Sequence, residues 1–105
     1  MLPRPYMVID TAGAVHFDGL QAVAWKVLMK RTVSSVRITG IAPGQLYTFM
    51  FVQDTPGGHR FDWPTPQVEG GSRIDTDPNA TSIQNFIGYT GGRLLAFIPG
   101  AWTIR

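Results

Sequence analysis

The chain has 105 residues, only 15% of them charged, with a net charge of +2 and no cysteine. About a quarter of a soluble domain is normally charged, so this sequence lacks roughly ten charges; Gly (12) and Pro (8) fill much of the difference. This length allows a single domain over residues 1–105 with a real core. The absence of cysteine excludes a disulfide framework and thiol chemistry. The nine Lys and Arg residues are scattered, so a sequence pI near 9.4 is no argument for nucleic acid. Apolar runs are too short for a membrane helix, and the N-terminus reads without the apolar stretch of a signal peptide.

Gly and Pro recur along the whole chain and leave segments of strand length. Tyr6–Asp10 reads as a first short strand, closed by a turn at Thr11, Ala12 and Gly13; Val15–Phe17 extends a hairpin from it. Residues 20–39 are free of Gly and Pro, and their periodicity is ambiguous. Leu20, Val23, Ala24, Val27 and Leu28 recur at helical spacing, while Val23, Trp25, Val27 and Met29 alternate at strand spacing. The β-branched and aromatic content favours strand. Val36–Thr39 is a further strand, and Pro43 and Gly44 form a turn.

Leu46–Val52 is the clearest strand. Tyr47, Phe49 and Phe51 share one face and Leu46, Thr48, Met50 and Val52 the other, which predicts a central strand covered on both sides. His59–Trp63 alternates with Arg60 and Asp62 on the solvated side and reads as a hairpin partner, ended by Pro64 and Pro66. A short strand is expected around Arg73 and Ile74, another over Thr81–Ile87, and two more over Arg93–Ile98 and Ala101–Ile104. Eight to ten short strands with turn chemistry between them predict an all-β fold, an antiparallel β-sandwich or small barrel.

Chemistry is sparse. His16 and His59 have no motif that sets them beside a serine and an aspartate as hydrolase chemistry needs, and no nucleophile elbow is present. Asp75, Asp77 and Asn79 have the spacing of a calcium loop. The sixth position, Ala80, and the twelfth, Phe86, break the pattern, so a turn capped by its own side chains is expected. The Gly pairs 57–58, 70–71 and 91–92 lack the helix and the Lys-Ser/Thr of a phosphate loop. Glu69, the sole glutamate, has no evident partner for glycosidase chemistry. Asn79-Ala80-Thr81 fits a glycosylation triplet without a secretion signal to give it meaning. Trp25, Trp63, Trp102, Tyr6, Tyr47 and Tyr89 could build a sugar-stacking platform, against the plainer expectation of core and interface packing. No catalytic residue, metal or cofactor is expected.

One ordered set of residues carries more. Gly44-Gln45, Tyr47 and Phe49 are followed by Gln53-Asp54, then by Gly57-Gly58 with Trp63-Pro64 after a four-residue gap, then by Asn79 and Thr81 and by Phe86. Between Val36 and Trp102 this resembles a small β-module of tailed-bacteriophage virion proteins, found at the ends of tail fibres and spikes. The lead-in from Phe17 to Gly40 fits as well, and the resemblance covers about 80% of the chain. It implies structural roles. Gln53 and Asp54 end a central strand and bond the following turn; Gly57 and Gly58 reverse the chain; Trp63 and Pro64 plug the sandwich; Asn79 and Thr81 organise the turn into the next strand.

Some 16 residues precede the resemblance, too few for a fibre shaft. The resemblance therefore implies a non-enzymatic virion protein, assembled in the host cytoplasm. The leading expectation is a trimeric capsid cement or decoration protein on the major capsid protein, with residues 1–10 as an extended N-terminal arm reaching a neighbour. The alternative is a tail-fibre or spike module that contacts other tail proteins or host-surface glycan. Neither involves nucleic acid or membrane. The missing charges fit surface that is covered in an assembly.

Overall fold

The computed structural model describes residues 6–96 and the backbone of residues 102–104. Among these residues there is no helix, and nine strands form: β1 (Met7–Asp10), β2 (Ala14–Asp18), β3 (Ala24–Met29), β4 (Ser35–Thr39), β5 (Leu46–Gln53), β6 (Val68–Glu69), β7 (Thr81–Tyr89), β8 (Arg93–Ala96) and β9 (Trp102–Ile104). The fold is all-β, as the turn spacing predicts. The ambiguous 20–39 segment resolves into the two strands β3 and β4 joined by a loop. The β-branched and aromatic side chains of β3 outweigh its helical spacing because Trp25, Val27 and Met29 all reach the core on one face.

The main sheet runs β1-β3-β5-β7-β8-β6, and β9 also pairs with β7. A second sheet holds β2 and β4. The expected antiparallel pairing holds for β5 with β7 and for β7 with β8 and β9. The first half of the chain is different: β1, β3 and β5 are mutually parallel, and so are β2 and β4. The cause is the winding. The chain alternates between the layers, so each strand returns to its own sheet in the same direction after crossing the other one. Val15–Phe17 is therefore not a hairpin partner of the first strand, since β2 lies in the opposite layer beside β4.

Aromatic side chains fill the space between the layers. Trp25 stands opposite Met7 and Phe49, and Val27 opposite Ile9 and Phe51. Val15, Phe17 and Ile38 descend onto them from the second sheet. Phe17 meets Phe49 edge-on at 4.9 Å and Trp25 at 5.3 Å, while Trp25 stacks on Phe49 at 4.8 Å. Each such side chain, fully withdrawn from water, contributes about 1.5–3 kcal/mol before entropy is counted.

The two-stranded layer is too narrow to cover the main sheet. The rest of the cover comes from residues 54–76, irregular apart from the short β6, which insert Phe61, Trp63, Val68 and Ile74. Here two expectations fail. His59–Trp63 forms no hairpin with β5; only Phe61 makes a bridge, parallel to Val33. Arg73 and Ile74 form no strand either. In both places side chains replace the ladder. Gln53 donates to the carbonyl of His59 at 2.7 Å and accepts from its N–H at 3.2 Å. Gln84 accepts from Ser72 N–H at 3.1 Å, and Ser82 from Asp75 N–H at 2.8 Å. Gln67 donates to the carbonyls of Ile38 and Gly92. Backbone that lacks a neighbouring strand must find other partners. These buried amides and hydroxyls supply them and lay the chain across the sheet rather than beside it.

This explains which face of β7 points inward. Ser82, Gln84 and Phe86 are buried, whereas Ile83 and Ile87 face outward and are half-buried. The same holds on β5, where Tyr47, Phe49 and Phe51 are buried but Thr48, Met50 and Val52 are only half-buried and Leu46 is exposed. The central position predicted for β5 is observed, but its second face is not fully covered. Cross-strand rows on that outer face read Val8, Lys26, Met50, Ile83 and Asp10, Leu28, Val52, Thr81, apolar at the centre with charge toward the β1–β3 edge.

The expected N-terminal arm is partly corrected. Residues 1–5 lie outside the described part. Met7–Asp10 is an edge strand of the chain's own sheet, because Met7 and Ile9 pack on the core. Thr11 fixes the strand end by donating its hydroxyl to the carbonyl of Leu28 at 2.8 Å and accepting from Lys30 N–H.

Candidate functional site

The residues singled out by the sequence fall into two groups. Gln53, Asp54, Gly57, Gly58 and Asn79 converge at the end of β5. Asp54 Oδ1 accepts from Gly57 N–H at 3.0 Å and lies 3.0 Å from His59 Nε2, and the Asp54 carbonyl accepts from Gly57 and Asn79 N–H. Gly58 N–H bonds the carbonyl of Thr76 at 2.7 Å. Asn79 takes a left-handed conformation (φ 62°), which asparagine tolerates better than most residues. Thr55 Oγ1 lies at 3.5 Å from Asn79 Oδ1, and Thr81 begins β7 opposite Val52. This knot ties the start of the irregular layer to the sheet. His59 is spent inside it, and His16 Nε2 lies 2.7 Å from the Thr39 hydroxyl at the surface.

Trp63 and Pro64 lie apart from the knot. Trp63 meets Phe49, Phe51, Phe61 and Phe86 at centroid distances of 4.8–5.5 Å. Its indole N–H donates to the carbonyl of Ser72 at 2.9 Å, and Gly71 rests so close to the ring that a Cβ there would overlap it. The Pro64 carbonyl accepts from Val68 N–H. The considered sugar platform does not assemble: Trp25 and Tyr47 are 1% exposed and stack on each other, Tyr6 and Tyr89 are exposed, and the side chain of Trp102 lies outside the described residues. Glu69 has a partner after all, the guanidinium of Arg93, because β6 and β8 run side by side. Asp75 accepts from Asp77 N–H at 2.9 Å, the side-chain-capped turn the spacing suggested, and no group of three metal-ligating side chains occurs among the described residues.

One concave feature was not singled out by the sequence. Two adjoining cavities, each of about 250 Å³, open on the irregular layer. Phe61, Asp62 and Arg73 line both; Arg60, Ile74 and Thr76 complete one, and Trp63, Thr65 and the Gly70–Gly71 backbone help complete the other. The floor is apolar, with Phe61 and Ile74 buried, and Arg60, Asp62 and Arg73 rise exposed around it. The walls are fixed by bonds already described: Trp63 to Ser72, Gln84 to Ser72, Ser82 to Asp75, and Arg60 N–H to Thr32 Oγ1 at 3.0 Å. The alternation of 59–63 foretold that Arg60 and Asp62 face solvent. Nothing local could foretell that Arg73 joins them, since that depends on the loop being carried across the sheet by Gln84 and Ser82.

No curated protein and no solved structure matches the chain. Over residues 23–93, about two-thirds of its length, it matches a protein family described as putative phage tail fibre C-terminal domain. The matched span runs from the lead-in to β3 into β8 and takes in the aromatic core apart from Phe17, the Gln53–Asn79 knot and the cleft. The chain therefore belongs to the phage tail fibre C-terminal domain family and is a structural, virion-associated phage protein.

Proposed function

We propose that the protein acts without enzymatic chemistry as a distal tail-fibre module, presenting its irregular layer to the host surface and its outer sheet face to other copies of itself in a trimer. The observation that carries this reading is the contrast between the two faces. One is a preformed, charged cleft on a stiff frame. The other is a sheet face whose central rows, Met50 with Ile83 and Leu28 with Val52, are apolar and half-buried. A large apolar surface marks an association site, and lasting interfaces are depleted in charge at their centres. On a chain with only 15% charge, that is where the missing charge is accounted for. Several copies at one fibre end would convert weak individual contacts into firm attachment by avidity.

Capsid decoration is the second reading. It draws on the same apolar face and the same low charge, but a preformed charged cleft has no part in it, and the family match supports the tail-fibre placement at least as well. Binding of the purified protein separates the two. A fibre module binds host cells and competes with phage adsorption. A cement protein binds emptied shells in fixed stoichiometry and ignores cells, and that result would overturn the proposal.

A further inference from the structure

We propose that the cleft bounded by Arg60, Asp62 and Arg73 is a binding site for an acidic sugar, a hexuronate residue of a surface polysaccharide. This rests on the tail-fibre reading and names its ligand. Charges are scarce in this chain, yet two of its nine basic residues line one continuous depression. Neither guanidinium forms an ion pair with a described residue; the same holds for Lys26, Arg31 and Arg37, but of these cations only Arg60 and Arg73 line the two cavities. A guanidinium left without a carboxylate at the wall of a concave site is a receptor for one, because its planar fork matches the carboxylate oxygens two to two.

The remaining lining narrows the ligand. Asp62 stands in both cavities and is acceptor-only when ionised. It opposes a bare inorganic anion but welcomes hydroxyl groups. A uronic acid offers both halves of this pattern, a carboxylate for arginine and ring hydroxyls for aspartate. The half-buried Trp63 supplies apolar surface for the C–H face of the ring above the buried Phe61, and Gly70 and Gly71 keep the rim of its cavity low. The frame is set before binding: Trp63, Gln84 and Ser82 hold the 70–76 loop through hydrogen bonds to Ser72 and Asp75, so little ordering cost falls on the ligand.

The test is calorimetric titration of the full chain with glucuronate and galacturonate oligosaccharides, against neutral glucose and galactose oligomers of equal length. The proposal predicts binding of the acidic oligomers and weak or absent binding of the neutral ones. Arg60→Gln and Arg73→Gln should each weaken it by about tenfold or more, as for loss of a hydrogen bond to a charged group. Both residues are exposed, so urea midpoints should stay unchanged. Asp62→Asn should weaken oligosaccharide binding yet improve binding of sulfate, a signature that general loss of structure cannot give. Equal affinity for neutral oligomers, or acidic binding unaffected by both arginine substitutions, would overturn the acidic-sugar site and leave the tail-fibre reading intact. Binding to cells without binding to any of these oligomers would do the same. Failure to bind cells at all would count against the tail-fibre reading itself.

Discussion

Replacing Trp63 with alanine separates a structural role from a recognition role at the residue that touches both. The indole is surrounded edge-on by Phe49, Phe51, Phe61 and Phe86, the nearest centroid at 4.8 Å, and its N–H holds the carbonyl of Ser72 at 2.9 Å. Truncating an aromatic core residue costs about 3–5 kcal/mol through lost transfer energy and the cavity left behind. The lost hydrogen bond adds about 1 kcal/mol. Trp63 is half-buried, so the packing loss should lie near the lower end and the total near about 4 kcal/mol. Against a total of about 5–15 kcal/mol for a domain, this is a large fraction. With a urea slope of about 2 kcal/mol per molar, the unfolding midpoint should fall by about 2 M. Trp63→Phe keeps most of the ring but removes the donor and should cost only about 1–2 kcal/mol. Urea unfolding followed by circular dichroism measures both. If the alanine variant unfolds within about 0.3 M of the natural protein, Trp63 is not the plug of the irregular layer; lost ligand binding at that unchanged stability would make it a recognition residue.

Two further outcomes follow from single positions. Gly57 and Gly58 both have positive φ, but a Cβ on Gly57 would lie 2.7 Å from the backbone nitrogen of Pro78 whereas one on Gly58 meets nothing within 4 Å. Gly57→Ala should therefore cost about 3 kcal/mol or more, and Gly58→Ala only the 1–2 kcal/mol or so of the left-handed conformation; equal losses in thermal unfolding would refute the close approach of the 54–58 and 76–78 turns. Met50→Lys places a charge at the centre of the outer sheet face. In sedimentation velocity it should convert the proposed trimer to monomer while changing monomer stability by about 1 kcal/mol or less, and a trimer that survives it would assign the interface elsewhere.

Most strands of the main sheet, the two-residue β6 excepted, were legible because alternation survives wherever one face meets the core. Leu46–Gln53 and Thr81–Tyr89 announce themselves in this way, and Pro43 and Gly44 end in the turn their chemistry dictates, with Gln45 N–H bonded to the carbonyl of Ala42. The parallel winding was not legible. Nothing in Val15–Phe17 distinguishes a strand that folds back beside β1 from one that crosses to a second layer, and that choice is made by long-range packing of Phe17 on Trp25 and Phe49. Residues 59–63 and 73–74 show the opposite failure. They carry strand-like alternation because Phe61, Trp63 and Ile74 do point inward, yet apart from the Val33 N–H bond to the Arg60 carbonyl the backbone at 59–60 is held by the side chains of Thr32 and Gln53, and the flanks of 73–74, Ser72 and Asp75, by Gln84 and Ser82. The signal available was the pair of polar residues Ser82 and Gln84 on the inner face of β7, where hydrophobic alternation would put apolar ones. The knot around Asp54 was visible as a motif, whereas the cleft was not, because Arg60 and Arg73 meet only once the irregular layer is in place.

The central claim, that this phage protein sits at the end of a tail fibre with its cleft exposed, is tested most directly by gold-labelled antibody against the protein on intact virions. Label should lie at the distal ends of the fibres, with adsorption to host cells blocked by the same antibody. Label distributed over the head at regular sites, with adsorption unaffected, would contradict it.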